Sequence, residues 1–240
     1  MVAPVAASRT LIVVPTYNER DNVEHVARHF LAPIPSAHIL FVDDNSPDGT
    51  GEILDRLAAA DDRLHVLHRP GKLGLGTAYL DGFAWGLARA YDLFFEMDAD
   101  FSHDPTYLPG MVDLAERDAD VVIGSRYVAG GGTRNWGLGR KIISRGGSIY
   151  ARTILGVSVR DVTAGFVCWR RQALEAIDLA AIKSNGYSFQ IEMKYRAILA
   201  GLRLVETPIV FVDRRVGQSK MSRRIVAEAM QMVWKLRLRG

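Results

Sequence analysis

Five short apolar runs, each separated from the next by a segment of helical spacing, constrain this chain most. Residues 10–14, 39–42, 64–67, 93–97 and 120–124 are dominated by β-branched, leucine and aromatic side chains, which suit a pleated, buried strand. Between them, Val23, Val26, Ala27 and Phe30, then Thr50, Ile53, Leu54 and Leu57, then Ala78, Phe83, Leu87 and Ala90 recur at helical spacing, and residues 106–116 continue the pattern. That is the period of one helix face. Strands alternating with helices predict a mostly parallel sheet covered on both faces. Such a sheet opens its ligand crevice at the carboxyl ends of its strands.

Composition narrows the class. The 240 residues are 48% hydrophobic and 24% charged, so a single domain spanning 1–240 can bury a full core. Residues 1–8 read as a loose N-terminus, without the charged start and apolar stretch of a signal peptide. The chain lacks an apolar run of about 18 residues, so no membrane-spanning helix is expected. The single cysteine, Cys168, sits in an apolar run. It excludes an intramolecular disulfide and fits a reducing compartment. A net charge of +3 suits phosphates or an anionic membrane surface. It is too modest and too dispersed for a nucleic-acid partner.

Three strands end in polar loops: Tyr17 and Glu19 after the first, Asp43 and Asp44 after the second, Asp98 and Asp100 after the fourth. Side chains two apart on an extended segment point the same way. Asp98 and Asp100 could therefore reach one Mg²⁺ or Mn²⁺, which take oxygen ligands and complete their shell with substrate phosphate. A lone Asp-x-Asp is more often a solvated turn, but repetition on three strands favours a nucleotide crevice. Gly74-Leu75-Gly76 lacks a full phosphate-loop fingerprint and reads as a tight helix entry. The six histidines have no metal-ligand spacing, and only His103, just after the carboxylates, merits a test. Phe83, Trp85 and Phe94 read as core.

The second half changes character. Residues 127–147 are glycine-rich and carry Arg134, Arg140, Lys141 and Arg145 beside Trp136, Leu138, Ile142 and Ile143, with Arg126 just ahead. They read either as a mobile surface mixing basic and apolar groups or as a flexible loop with a solvated helix face. A strand is expected within 161–169, a helix over 187–199, strands at 202–205 and 209–212, and a polar, basic loop at 214–220. Residues 222–240 read as a basic amphipathic helix. Ile225, Val226, Ala229, Met232, Val233 and Leu236 share one side, with Arg224, Gln231 and Lys235 opposite. Such a helix either lies on a membrane or, more commonly, packs its apolar side on the domain.

With these pieces placed, the chain resembles the family-2 glycosyltransferases of the GT-A fold, and among them the polyprenol-phosphate (dolichol-phosphate) mannosyltransferases. The resemblance rests on Val14-Pro15-Thr16-Tyr17-Asn18-Glu19, on Val42-Asp43-Asp44-Asn45-Ser46-Pro47-Asp48-Gly49-Thr50, on Gly74-Leu75-Gly76-Thr77-Ala78-Tyr79 and on Met97-Asp98-Ala99-Asp100-Phe101-Ser102-His103. It continues through Gly124-Ser125-Arg126-Tyr127, Arg140-Lys141-Ile142-Ile143-Ser144-Arg145-Gly146, Phe211-Val212-Asp213-Arg214 and Gly217-Gln218-Ser219-Lys220. These fall in order and cover nearly the whole chain.

The resemblance implies a mannosyltransferase moving mannose from GDP-mannose to a polyprenyl phosphate with inversion. Pro15, Tyr17, Glu19, Val42 and Asp44 would hold the guanosine. Asp98, Ala99 and Asp100 would lie against the diphosphate, and Asp98 and Asp100, with Ser102, against a Mg²⁺ or Mn²⁺ cofactor. Arg126 would face the reacting phosphates, and Arg214 and Lys220 would close over the donor. Arg126 and Arg145 are the candidates to grip the acceptor phosphate, because guanidinium meets phosphate bidentately. The catalytic set is then Asp98, Asp100 and Arg126. Two alternatives stand beside it: transfer of glucose or an amino sugar from UDP to the same lipid class, and a non-catalytic nucleotide-sugar-binding module. The expected setting is the cytoplasmic face of a membrane, reached peripherally or through a separate anchor subunit.

Overall fold

The computed structural model describes residues 8–212 and 223–239. Of the loose end expected at 1–8, only Ser8 falls within that range. β1 (Thr10–Thr16) is an unbroken apolar run, and its side chains divide between two cores. Leu11 and Val13 join Tyr79, Phe83 and Phe94 on one face. Ile12 and Val14 join Val26, Phe30 and Phe95 on the other. A strand buried on both faces has no polar alternation, as parallel sheets require.

The first half follows the expected alternation: α1 (Val23–Leu31), β2 (His38–Asp43), α2 (Thr50–Ala60), β3 (Leu64–His68), α3 (Leu75–Leu87), β4 (Leu93–Glu96), α4 (Leu108–Arg117) and β5 (Val121–Ser125). Then come β6 (Gly132–Arg134), α5 (Leu138–Leu155), β7 (Val167–Arg170), α6 (Arg171–Ala176), α7 (Tyr187–Leu199), β8 (Leu204–Pro208), β9 (Val210–Val212) and α8 (Arg223–Arg239). The main sheet runs β3-β2-β1-β4-β7-β5-β8. β1 pairs parallel with both β2 and β4, while β7 lies antiparallel between β4 and β5. β6 and β9 form a separate two-stranded parallel ribbon.

Strand order reverses between β1 and β4, which opens a crevice beyond their carboxyl ends. The glycine-rich stretch at 127–147 contains β6 and the first half of α5. Its helix face is solvated, and Leu138, Ile142 and Ile143 are exposed rather than turned to the core. Gly74 and Gly76 open α3 for packing reasons. Gly74 has φ +107°, and a Cβ on Gly76 would fall 2.8 Å from the Ser184 carbonyl oxygen. The Gly76 N–H already donates to Asn185 Oδ1 at 2.8 Å, so this entry is a tight helix start. Met232, Val233 and Leu236 of α8 pack on the core, while the side chains of Ile225, Val226 and Ala229 lie outside the described set.

Candidate functional site

The crevice is built from three strand ends. At the end of β2, Asp43 is buried and ties neighbouring loops together. It accepts from Thr16 Oγ1 at 3.1 Å and from Ser46 through the hydroxyl at 2.6 Å and the backbone N–H at 3.1 Å. Asn18 takes a positive φ of 58°, and its N–H donates to Ser46 Oγ at 3.1 Å. Glu19 is fixed by its N–H to Thr50 Oγ1 at 3.1 Å and accepts from Asn22 Nδ2 at 2.7 Å. Pro15, Tyr17 and Glu19 are half-buried along this rim. Val42 is fully buried in the core, paired with β1 on one side and β3 on the other, so it presents no surface to a ligand and supports the strand end that carries Asp44.

Asp44 carries a partner that the sequence did not reveal. Arg69 is buried just past β3, and its Nη1 stands 3.1 Å from Asp44 Oδ1. The approach is off the hydrogen-bond direction, so the contact is one of charge. Arg69 also reaches Asp81 at 3.2 Å and Thr77 Oγ1 at 2.7 Å. Burial pushes the Asp44 carboxyl up from its ordinary value, against the pull of Arg69 and of the Leu73 and Gly74 backbone. The only sequence signal was a charged residue directly after a strand.

At the end of β4 the chain turns sharply through Phe101, at φ 60°. Asp98 is half-buried, and Ala99, Asp100 and Ser102 are buried. Tyr79, inside the core, donates to Asp98 Oδ1 at 3.4 Å. The Asp98 N–H donates to His103 Nδ1 at 3.2 Å, and the Ser102 N–H to Asp100 Oδ1 at 3.0 Å. His103 stacks on Phe166, centroids 5.1 Å apart, and meets Phe211 edge-on at 5.6 Å. Each of these contacts fixes the backbone or carboxylates of the Asp-Ala-Asp turn. Ser102 Oγ is buried without a hydrogen-bond partner among the described residues. Those residues hold no cluster of three or more His, Cys, Asp or Glu with metal-binding placement. A hard cation here would draw on two carboxylates, this hydroxyl and its substrate.

Behind the turn runs a buried polar chain. Trp169 Nε1 donates to Glu96 Oε1 at 2.6 Å, and Gln190 Nε2 donates to Glu96 Oε2. Lys194 then donates to Gln190 Oε1 at 2.9 Å and to the Ala164 carbonyl at 2.7 Å. All four side chains are buried. Burial raises the Glu96 carboxyl and lowers the Lys194 amine, each opposed by the other's charge. The sequence showed Glu96 only as an anomaly in an apolar run.

Arg126 follows β5 and is buried against Asp161. Its Nε and Nη2 donate to the two carboxylate oxygens at 2.7 Å each, its backbone N–H to Oδ2 at 3.0 Å, and Nη2 also to Thr163 Oγ1 at 2.9 Å. Burial pushes the Asp161 carboxyl up, but the charge and hydrogen bonds of Arg126 prevail and hold it below its ordinary value. The rings of Tyr127, Trp136 and Phe211 surround the guanidinium at 5.2, 5.5 and 5.7 Å. Phe211 thus links Arg126 to His103. A phosphate would meet Arg126 away from its Asp161 edge. Arg145 is exposed on α5, one residue past Ser144, whose hydroxyl accepts from Tyr127 at 2.7 Å. Arg214 and Lys220 lie outside the described residues.

Among known proteins, the glycosyl transferase family 2 model matches residues 11–178. The polyprenol monophosphomannose synthase of Mycolicibacterium smegmatis is 50% identical over 233 residues, 97% of this chain and 88% of that protein. The undecaprenyl-phosphate mannosyltransferase of Micrococcus luteus is 50% identical over 222 residues, 92% of this chain and 91% of that protein. Two solved structures share the fold at low identity. Glucosyl-3-phosphoglycerate synthase from Mycobacterium tuberculosis, in complex with Mn²⁺, UDP and glucosyl-3-phosphoglycerate, has a TM-score of 0.67 at 18% identity, over 98% of this chain and 80% of that one. A mannosyltransferase from Pyrobaculum calidifontis, in complex with GDP-Man and Mn²⁺, has a TM-score of 0.63 at 17% identity, over 99% and 66%. A mostly parallel sheet with carboxylates at its strand-order reversal, the family model over residues 11–178, and relatives at half identity over most of their length place this chain in glycosyl transferase family 2.

Proposed function

We propose that the chain transfers mannose from GDP-mannose to the phosphate of a polyprenyl lipid, with inversion at the sugar carbon. One observation carries the reading: Asp98 and Asp100 stand at the tip of β4, where strand order reverses beside β1, in a turn fixed by Tyr79, Ser102 and His103. The names of the two half-identical relatives support the sugar and the acceptor class.

In this reading Pro15, Tyr17, Glu19 and Asp44 hold the guanosine, with the buried Val42 supporting the strand end that carries Asp44. Arg69 keeps Asp44 in place and supplies its counter-charge. Asp98 and Asp100, with Ser102 Oγ, have the all-oxygen chemistry that suits Mg²⁺ or Mn²⁺. Such an ion, when bound, neutralises charge on the departing diphosphate. Ala99 places its backbone against the same group. Arg214 and Lys220 add positive charge over the donor.

The acceptor phosphate oxygen forms a bond to the mannose anomeric carbon on the face opposite the diphosphate. The bond from that carbon to the diphosphate oxygen breaks, and GDP leaves with the electron pair. A phosphate monoester has its second pKa near ~6, so the nucleophile is already charged at neutral pH. It needs positioning rather than a general base. Arg126, held at the crevice by Asp161, and Arg145 on α5 position it.

The test is transfer of labelled mannose from GDP-mannose into an organic-extractable product, with polyprenyl phosphate and Mg²⁺ or Mn²⁺ supplied. Asp98→Ala and Asp100→Asn are expected to lower turnover by on the order of 10²–10³. A panel including UDP-glucose and UDP-amino sugars checks the donor. Transfer from UDP alone would overturn the guanosine assignment, and turnover surviving both substitutions would overturn the metal-assisted chemistry.

A further inference from the structure

Lys194 is a buried cation that the chemistry above does not use. It sits in the middle of α7 with 0% of its surface exposed, among Ile191, Met193, Tyr195 and Ala197 of the same helix, all of which belong to the core. Taking an ammonium out of water is costly, and a buried ion pair is often no more stabilising than apolar residues of similar volume. Core packing therefore does not call for a lysine at this position. Its partners show what the lysine does.

The ammonium uses all three of its donors. Two bonds stay on α7, to the Gln190 side-chain oxygen at 2.9 Å and to the Gln190 carbonyl at 3.3 Å. The third and shortest leaves the helix and ends on the Ala164 carbonyl at 2.7 Å. Ala164 belongs to the loop 161–166, which precedes β7 and lies outside the strand ladders. That loop is fixed at both ends. Glu206 accepts from the Arg160 and Asp161 N–H groups at 2.8 and 2.9 Å, and the Phe166 carbonyl accepts from the Gly124 N–H at 2.9 Å. Lys194 supplies the tether between them.

Both sides of the crevice lean on the tethered loop. Asp161 and Thr163, just before Ala164, hold the Arg126 guanidinium. Phe166, just after it, stacks on His103, which accepts the Asp98 N–H. Through Gln190 the same ammonium is tied to Glu96, two residues ahead of Asp98.

We infer that Lys194 is a positioning residue for the acceptor phosphate: by holding the Ala164 carbonyl it fixes Asp161 and Thr163, and through them the direction of the Arg126 guanidinium, relative to the Asp98 turn. It acts from the buried side, without touching a substrate. The inference rests on the polyprenyl-phosphate reading, in which Arg126 meets that phosphate.

The tether can be separated from the charge pair. Glu96→Gln alone removes the carboxylate and keeps the Lys194 bond to Ala164. Glu96→Gln/Lys194→Met removes both buried charges. The Gln190 amide can then turn over and accept from the new amide at position 96, so the Ala164 carbonyl is the group left without its donor. Leu174→Ala controls for lost stability alone, because Leu174 is buried on α6, which follows β7 at the end of the sheet away from the crevice.

The experiment measures, on the full chain, the KM for a short, water-soluble prenyl phosphate and for GDP-mannose, and the calorimetric affinity for the prenyl phosphate alone. Lys194→Met and the double variant should raise the acceptor KM, and weaken acceptor binding, by about tenfold. The KM for GDP-mannose should stay within about twofold of the parent. Glu96→Gln and Leu174→Ala should keep acceptor KM and affinity within about threefold. The double variant carries the test where Lys194→Met alone fails to fold. Parental acceptor KM and affinity in the double variant overturn the inference. So does an equal rise in both KM values, or an acceptor defect in Leu174→Ala or Glu96→Gln as large as that of the double variant. Prenyl phosphate held by the parent and lost by the double variant, with no transfer from GDP-mannose, leaves the positioning role standing and sinks the mannose reading. A parent that does not bind prenyl phosphate sinks the acceptor reading and this inference with it.

Discussion

His103 Nδ1 accepts the backbone N–H of Asp98 at 3.2 Å, so a buried imidazole, five residues along the chain, closes the turn that carries the two carboxylates. In the neutral ring that bond leaves the proton on Nε2. His103→Ala would strand a backbone donor, at a cost of about 1–3 kcal/mol, and let the turn relax. The expected result is a fall in turnover of about tenfold or more with far-ultraviolet circular dichroism unchanged. Titration of the divalent ion against turnover should shift to higher concentration. A variant with parental metal dependence would show that the ring only fills space.

Lys194 and Glu96 should behave as a coupled pair although Gln190 stands between them. Lys194→Met leaves a buried carboxylate without its counter-charge, and should destabilise by about 3–5 kcal/mol. Adding Glu96→Gln should recover part of that loss. A double-mutant cycle in urea measures the coupling, and simple additivity would contradict it.

Asp161→Asn removes the charge that Arg126 faces in a buried site, and about 3–5 kcal/mol of stability should go with it. Because the folded carboxyl is held below its ordinary value, its contribution is complete above the unfolded Asp range near ~4. It disappears as pH falls through the lower folded value. The variant should therefore lose less stability on acidification than the parent, as followed by urea midpoints from neutral pH into the acid range.

At the opposite end of the sheet, His38 Nδ1 lies 3.0 Å from His65 Nε2, and the Tyr91 hydroxyl is 3.0 Å from the first of these atoms. Burial lowers both histidine pKa values, with nearby arginines adding to the effect. The unfolded chain then binds more protons just below the ordinary histidine value of ~6.5. Stability is full above that value and falls as pH drops towards the lowered folded values. Melting temperature should decline over this window in the parent and decline less in a His38→Gln/His65→Gln variant. Parallel slopes would rule the pair out as its source.

The first five strands and four helices were legible because each carries its own period: apolar runs for strands, and threes and fours for helices. Asp98, Asp100 and Asp44 were legible because they end such runs. The extent of α5 was not, since its apolar residues point outward and glycines at 139, 146 and 147 interrupt the pattern. Pairings across long stretches of chain were equally hidden. Arg69 with Asp44, Arg126 with Asp161 and the Lys194 chain beneath Glu96 depend on which elements become neighbours, which local patterning does not encode.

The reversed strand β7 has a consequence for how such a chain can diversify. It pairs Glu96 with Val167 and Leu93 with Arg170, so the loop that precedes it, 161–166, arrives at the edge where the other strands deliver the loops that follow them. Asp161, Thr163 and Phe166 enter the crevice by that route. The strand ends that carry Tyr17, Asp44 and Asp98 come from the first hundred residues or so, and the described groups around Arg126 from later ones, with β7 as the seam. The later half can change length and chemistry while the seam holds the first half in register.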